Sequence, residues 1–176
     1  MAKPLILIIA AIPIVLAILI AIPMIINPQI PFTATNSDDR ISFELTKYSL
    51  KKVSFGVTDR LAPLKSEILT ISNDGDMRYL VIENEHPLPE KTMTLEKAQV
   101  KRLTALIKET GFMQIPIDSI PADEDKSEYT KFSLKVTLNG QVKQIQWPEE
   151  NATSTFIPPI ITKVESELES LILQFN

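Results

Sequence analysis

The sequence predicts an α+β protein in which a single transmembrane helix precedes an antiparallel β-sheet with two amphipathic helices packed on one face. Three observations predict this fold. An apolar stretch opens the chain, alternating apolar residues flank an Asp-Gly and an Asn-Gly dipeptide, and two later segments carry apolar residues at helical spacing. After the anchor, the expected order is β-hairpin, helix, β-hairpin, helix.

The opening segment, residues 1–27, has no charged side chain between Pro4 and Ile26. As a helix, residues 5–26 would be about 33 Å long, which is enough to cross the core of a bilayer. A secretory signal peptide usually has an apolar region of only about 7–15 residues and a small-residue cleavage site. We therefore predict a retained transmembrane anchor over residues 1–27. A cleaved signal peptide and a buried helix of a soluble protein are the alternatives.

The charges beside this segment predict its orientation. Lys3 precedes it, whereas the linker over residues 28–40 ends in "NSDDR", where acidic residues outnumber basic ones. The positive-inside rule then places the N-terminus in the cytoplasm and residues 41–176 outside the cell membrane. Ala17 and Ala21 form a small-xxx-small pair, a candidate helix-association surface. Lipid-facing alanines are the alternative.

Composition narrows the function classes. The 176 residues include no cysteine, one histidine and four glycines, and the net charge is −4. The absence of cysteine removes disulfides and thiolate metal sites. No stretch concentrates basic and aromatic residues, so nucleic-acid binding is not expected. The glycines are assigned to turns, a helix end and a strand, which leaves none for a phosphate-binding loop. We expect no cofactor and no enzymatic activity.

The first hairpin is predicted in "EILTISNDGDMRYLVIE", with a two-residue turn at Asp74-Gly75. This turn pairs Ile68 with Val81 and places four apolar side chains on the opposite face. These four, which we treat as candidate partner-interface residues, are Leu69, Ile71, Leu80 and Ile82. Both faces of the hairpin are then apolar. Either the one or two strands predicted over residues 41–57 cover the second face, or a partner protein does.

The segments beside this hairpin are predicted to be irregular: "TDRLAPLK" before it as a turn and "ENEHPLPEKTM" after it as a loop. A helix follows, with Thr94 as N-cap and Gly111 at its C-terminal end. Its apolar stripe comprises Leu95, Val100, Leu103, Leu106 and Ile107. The opposite row, Lys97, Lys101 and Lys108, is either a solvated surface or a docking face.

The second hairpin is predicted in "KFSLKVTLNGQVKQIQW", with a two-residue turn at Asn139-Gly140. The turn pairs Phe132 with Trp147 and leaves one face apolar and the other polar, so the register is well determined. The last helix enters at Pro158-Pro159. Its apolar stripe comprises Ile161, Val164, Leu168, Leu171 and Phe175, and Lys163, Glu165, Glu167 and Glu169 are expected to be solvated.

Few polar residues suggest chemistry. His86 lies near two glutamates but has no second histidine or cysteine, which favours a bystander over a metal ligand. Asp123 and Asp125 alternate as at the start of a calcium loop, but the glycine and the final glutamate of that loop are missing. They are weak metal candidates. Asn151 begins the sequon Asn-Ala-Thr and is a glycosylation candidate, in agreement with export.

The run from Glu67 to Leu171 resembles the emfourin-like α+β domains, which include inhibitors of thermolysin-like metalloproteases such as protealysin. The resembling stretches are "ILTISNDGDMRYLV", "LTALIKETGF" and "EYTKFSLKVTLNGQVKQIQW", followed by a proline-led amphipathic helix. This resemblance implies a small α+β domain that binds a protease, and it carries no individual site residue over to this chain.

The sequence thus predicts a non-enzymatic, membrane-anchored module that binds a protein partner outside the membrane. A protease-inhibitor-like role is one version. The alternatives are an accessory subunit of a larger membrane enzyme and a ligand- or cation-binding sensor that uses the loop over residues 118–128.

Overall fold

The computed structural model describes residues 35–56 and 58–175 and shows an α+β fold built from an antiparallel sheet and two α-helices. The predicted anchor over residues 1–27, with Ala17 and Ala21, lies outside the described residues. None of the described helices is long and apolar enough to cross a membrane. The elements are β1 (Ile41–Phe55), β2 (Thr58–Ile71), β3 (Asp76–Glu83), β4 (His86–Pro87), β5 (Lys91–Thr94), α1 (Lys97–Thr110), β6 (Glu128–Leu138), β7 (Gln141–Pro148) and α2 (Pro159–Ile172).

The strands form one sheet in the order β4-β3-β2-β1-β6-β7, and β5 pairs with β3. The segment predicted as one or two strands is the single strand β1, which lies beside β2 in the sheet and not over it. The prediction of a turn at "TDRLAPLK" is wrong, because these residues belong to β2. The register of β1 with β2 shifts between Ser49 and Leu50, next to Pro63, and a bulge is where a strand accommodates proline.

The prediction of a loop after the first hairpin is wrong in part. Asn84 and Glu85 have φ of 49° and 66° and connect β3 to the short strand β4. β5 then pairs with β3, with Met93 opposite Met77. Asparagine tolerates positive φ, but it is uncommon for glutamate, so this connection lacks the glycine that usually marks such a turn.

The second hairpin confirms its prediction. Phe132 pairs with Trp147, Leu134 with Ile145, and the turn residues Asn139 and Gly140 have φ of 50° and 84°. Positive φ at both central residues is the signature of the type I′ turn, whose twist matches that of the strands.

The first hairpin has a register that differs from the predicted one by one residue. Leu69 pairs with Tyr79 and Ile71 with Met77, so the connection contains three residues, from Asn73 to Gly75. The amide of Gly75 donates to the carbonyl of Ser72 at 3.0 Å, and Gly75 has φ of 94°. This is the three-residue loop in which glycine takes the left-handed position. A one-residue shift moves every side chain of one strand to the other face.

The core lies on one face of the sheet. Phe43, Leu69, Met77, Leu134 and Trp147, from five strands, are all almost fully buried there. The two helices cover this face with their own buried residues, and Arg102 of α1 pairs with Glu167 of α2 at 3.1 Å. The buried residues of α2 are the predicted Ile161, Val164, Leu168 and Leu171.

The helix ends follow local chemistry. Glu96, not the predicted Thr94, is the N-cap of α1, where it forms a reciprocal capping box with Gln99. Gly111 ends the helix in the left-handed conformation, as predicted. Pro158 precedes the first residue of α2, Pro159, where the missing N–H removes no helical hydrogen bond.

The start of β1 is fixed by polar contacts. The Asp39 carboxylate accepts hydrogen bonds from the Lys108 ammonium at 2.8 Å and from the Asn139 amide at 2.9 Å. The side-chain oxygen of Asn139 accepts from the backbone amide of Arg40, and that of Asn73 accepts from Ile41. Lys108 of the predicted basic row is thus engaged inside the protein. The entering chain is held by α1 and by both hairpin turns.

Candidate functional site

A row of polar and aromatic side chains crosses the core face of the sheet where α2 lies over it. Lys47 of β1 pairs across the strands with Glu67 on one side and Phe132 on the other. The Lys47 ammonium lies 2.9 Å from Glu169 of α2 and 5.5 Å from the centre of the Phe132 ring. Phe132 in turn stacks on Trp147, with ring centres 5.5 Å apart. The row therefore joins four strands, β2, β1, β6 and β7, to α2.

Glu165 of α2 also contacts this row, through Trp147, and we call the row and the glutamates of α2 that contact it the polar cluster under α2. The Oε2 of Glu165 accepts a hydrogen bond from the indole N–H of Trp147 at 3.0 Å. Burial, reinforced by the negative charge of Glu169, raises the pKa of Glu165 to about 7, although the Trp147 hydrogen bond and Lys47 act in the opposite direction. Among the described residues Glu165 has no ion-pair partner. It is therefore a carboxyl group that titrates near neutral pH.

The other end of the row is fully paired. The Tyr79 hydroxyl donates to Glu67 at 2.5 Å, and the Lys65 ammonium lies 2.9 Å from the same carboxylate. Burial alone would raise the pKa of Glu67, but these two contacts outweigh it and lower the pKa. Burial and the Glu67 contact both raise the pKa of Tyr79, so its hydroxyl keeps its proton. Phe175 stacks on Tyr79 and closes this end.

A cavity of about 210 Å³ opens beside Glu165, between β7, the turn that follows it and α2. Its apolar lining comes from Phe132, Trp147, Pro148 and Ile157. Its acidic lining comes from Glu149, Glu150, Glu165 and Glu169. Apolar walls with several carboxylates favour a ligand that carries a positive charge on an apolar stem.

The opposite face of the sheet carries a second feature, which we call the outer patch: Tyr48, Ile68, Leu80 and Ile82. Ile68 pairs with Leu80, and Ser66, between Tyr48 and Ile82, joins the other two. All four side chains are partly exposed. Charged residues of the same face, Arg78, Glu44 and Lys135, lie in the neighbouring row across the sheet.

The four interface candidates from the first hairpin are separated by the corrected register. Leu69 and Ile71 are each only 1% exposed and belong to the core, so they offer no surface to a partner. Leu80 and Ile82 lie on the other face, in the outer patch. Of the four candidates, only Leu80 and Ile82 therefore lie on a face that the helices leave uncovered, together with Tyr48 and Ile68.

The polar residues predicted as candidate site residues are either hydrogen-bonded within the protein or exposed to solvent. Asp123 accepts hydrogen bonds from the amide and the hydroxyl of Ser154, both at 3.0 Å. Asp125 is exposed, and His86 lies on the exposed strand β4 with its Nδ1 2.7 Å from the carbonyl of Asn84. Within the described part of the chain, no three His, Cys, Asp or Glu side chains are grouped so that they could hold a metal ion. Asn151 is exposed on the short 3-10 turn Glu150–Ala152.

The sequence reasoning missed the cluster under α2. Glu165 and Glu169 were expected to be solvated, but they contact Trp147 and Lys47. One signal was available. Lys47 continues the inward alternation of Ile41, Phe43 and Leu45, so its side chain points toward the helices. A lysine at an inward position needs an acidic partner from the covering element.

Neither a protein-family model nor a curated protein matches this chain. The resemblance to emfourin-like domains therefore stays a prediction from the sequence.

Proposed function

We propose that this protein is a non-enzymatic, membrane-anchored interaction module whose sheet domain binds a partner protein outside the membrane. The observation that carries the proposal is the outer patch. Four apolar side chains from three neighbouring strands lie together on the face that α1 and α2 leave open.

The patch has the composition of a docking surface. The patch consists of aromatic and aliphatic side chains, and a row of charged side chains borders it, as apolar cores and polar rims adjoin in protein interfaces. Covering the patch would stabilise a complex by about 25 cal/mol for each Å² of apolar surface removed from water. The bordering charges would contribute to the choice of partner and to the association rate.

The polar cluster under α2 supports binding more than catalysis. Lys47, Glu67 and Tyr79 are held in internal ion pairs and hydrogen bonds, and the contact of Glu165 is an indole N–H. A general base needs a substrate or nucleophile proton within hydrogen-bond reach. The indole N–H of Trp147 belongs neither to a substrate nor to a nucleophile.

The partner class follows from the sequence. The resemblance to emfourin-like domains favours an extracytoplasmic protease, and the apolar segment over residues 1–27 supports a location at the membrane. An accessory role in a membrane enzyme would use the same outer patch. For the cation-sensor alternative, the described residues contain no group of three His, Cys, Asp or Glu side chains that could hold a metal ion, and Asp123 accepts hydrogen bonds from Ser154.

The experiment uses the full chain in its native membrane with a photo-crosslinking amino acid in place of Tyr48. We expect a crosslinked partner that is lost, by about tenfold or more, when Leu80→Lys is added. Val142 is the matched control because it is also an apolar strand residue, 59% exposed, but lies on β7, outside the outer patch. Val142→Lys should leave the crosslink unchanged. Equal crosslinking in both variants, with unchanged thermal melts, would contradict the proposal.

Membrane topology is tested separately. Because the chain contains no cysteine, a single introduced cysteine can be labelled without background. Gln174 is exposed, so Gln174→Cys should react with an impermeant maleimide on intact cells. Ala2→Cys should react only after permeabilisation. The reverse pattern would overturn the proposed orientation, and recovery of the chain in the soluble fraction would overturn the anchor.

A further inference from the structure

The cavity beside Glu165 is independent of the outer patch, since it opens on the helical side of the sheet. Its volume, about 210 Å³, is below the roughly 300–1,000 Å³ of pockets that hold drug-sized ligands. The space therefore suits one side chain or a similarly small group.

The charges around the cavity are unbalanced. Four glutamates line it, from α2 and from the turn after β7. The cation whose charge acts on Glu165, Lys47, is already paired with Glu169 at 2.9 Å. Glu165 uses Oε2 to accept from Trp147 and has no hydrogen bond described for Oε1. A ligand with positive charge would complement this lining.

The unpaired carboxylate is costly in the free protein. Burial raises the pKa of Glu165 to about 7, so the carboxyl is ionised less readily than an ordinary glutamate at neutral pH. Apolar walls from Pro148 and Ile157 stand next to it. A planar guanidinium on an apolar stem combines the required charge, donors and hydrophobic contact, and it is more weakly hydrated than an ammonium.

We propose that this cavity receives an arginine side chain of a protein partner, with its guanidinium facing the Glu165 carboxylate and its stem against Pro148 and Ile157. This inference rests on the proposed interaction function only for the source of the arginine. The cavity itself can be tested without any partner.

The probe is N-acetyl-arginine amide, titrated into the full-length protein in detergent. Trp147 is the only tryptophan in the sequence and donates to Glu165, so its fluorescence reports on the site. We expect a saturable change in emission with a Kd of about 1 mM, as is typical of a probe of this size. N-acetyl-citrulline amide, the neutral isostere, should give no saturable change at the same ionic strength.

Variants separate the cavity from a general charge effect. Glu165→Gln should weaken arginine binding about tenfold, and Glu150→Gln, which changes an exposed residue at the cavity, about threefold. Glu109→Gln is the control, because Glu109 is an exposed carboxylate of α1 that does not line the cavity. Its affinity should match that of the unmodified chain.

Three results would overturn the proposal: no saturation with the arginine probe, equal response to citrulline, or unchanged affinity in both cavity variants. Glu150→Gln keeps the test valid if Glu165→Gln fails to fold. Failure of this titration leaves the crosslinking at the outer patch unaffected, so the two proposals fail independently.

Discussion

The hairpins β2–β3 and β6–β7 both turn at a glycine, but they distribute their apolar side chains differently between the two faces of the sheet. In β6–β7, one face is apolar and buried and the other is polar. In β2–β3, both faces carry apolar residues, and only the face with Leu69 and Met77 is buried. A one-sided hairpin has a single register that hides its apolar residues, whereas a two-sided hairpin has two acceptable ones. The β2–β3 register therefore depends on contacts outside the hairpin.

The largest expected effect compares two leucines of the first hairpin. Leu69→Ala should reduce the free energy of unfolding by about 3–4 kcal/mol, because Leu69 is 1% exposed in the core. Leu80→Ala should cost about 1 kcal/mol or less, because Leu80 is partly exposed on the other face. Urea unfolding measures both. Similar losses for the two variants would indicate that the leucines share a face and that the register is wrong.

The next effect compares the two turn glycines. A Cβ at Gly75 would lie 2.9 Å from the carbonyl oxygen of Leu95, whereas one at Gly140 would meet nothing within 4 Å. Both residues have positive φ, which costs a non-glycine residue about 1–2 kcal/mol. We expect Gly140→Ala to lose about that amount and Gly75→Ala to lose about 2–3 kcal/mol. Equal losses would show that the Leu95 contact does not hold the first turn.

A third, smaller effect is the pH dependence of stability that Glu165, which contacts Trp147 of the second hairpin, produces. Burial and Glu169 raise the pKa of this carboxyl to about 7, so the folded state binds the proton more tightly than the unfolded state. The resulting stabilisation is full below the usual value near 4.5 and is lost as the pH rises through about 7.

Glu165→Gln removes this titration while keeping an acceptor for the indole. The variant should match the unmodified chain at pH 4.5 and exceed its stability by about 1–2 kcal/mol at pH 8, after allowance for partial solvent screening. Lys47, Glu150 and Glu169 face the same group and stay unchanged. A constant difference across this pH range, measured by thermal melts, would contradict the assignment.

The smallest effect concerns Asp39, which binds the turn of the second hairpin. Hydrogen bonds from Lys108 and Asn139 lower the pKa of Asp39 to about 2. Its contribution is therefore present above the usual value of 3.8 and is lost as the pH falls toward 2. Asp39→Asn should cost about 1 kcal/mol at pH 7 and almost nothing at pH 2. Asp38→Asn, on an exposed neighbour, is the control and should cost little at either pH.

The difference between the hairpins also explains which features of the fold can be predicted from the sequence. Asn139-Gly140, Gly111 and Pro158-Pro159 act through the conformations of the residues themselves, and the polar face of β6–β7 specifies its register. These features were predictable. The two residues of the capping box, Glu96 and Gln99, can also be found in the sequence. However, Thr94 is an equally good local candidate for the N-cap.

Other features depended on distant residues. Asp-Gly suits both a two-residue and a three-residue turn, and the choice follows from which face the helices bury and from the fit of Gly75 against Leu95. The bulge beside Pro63 lets β2 extend through a segment that resembles a turn. Glu165 is an ordinary solvated position on the helical wheel until α2 is placed over Trp147.

The sequence by itself determined the two helices, the second hairpin, the stripe of α2 and the apolar segment over residues 1–27, because propensity, turn chemistry and periodicity act over a few residues. Only the tertiary structure decided the register of the first hairpin, the outer patch and the cavity beside Glu165. Each of these arises where strands and helices distant in the chain bury one face and leave another exposed. That partition is set by packing, which no local window of sequence contains.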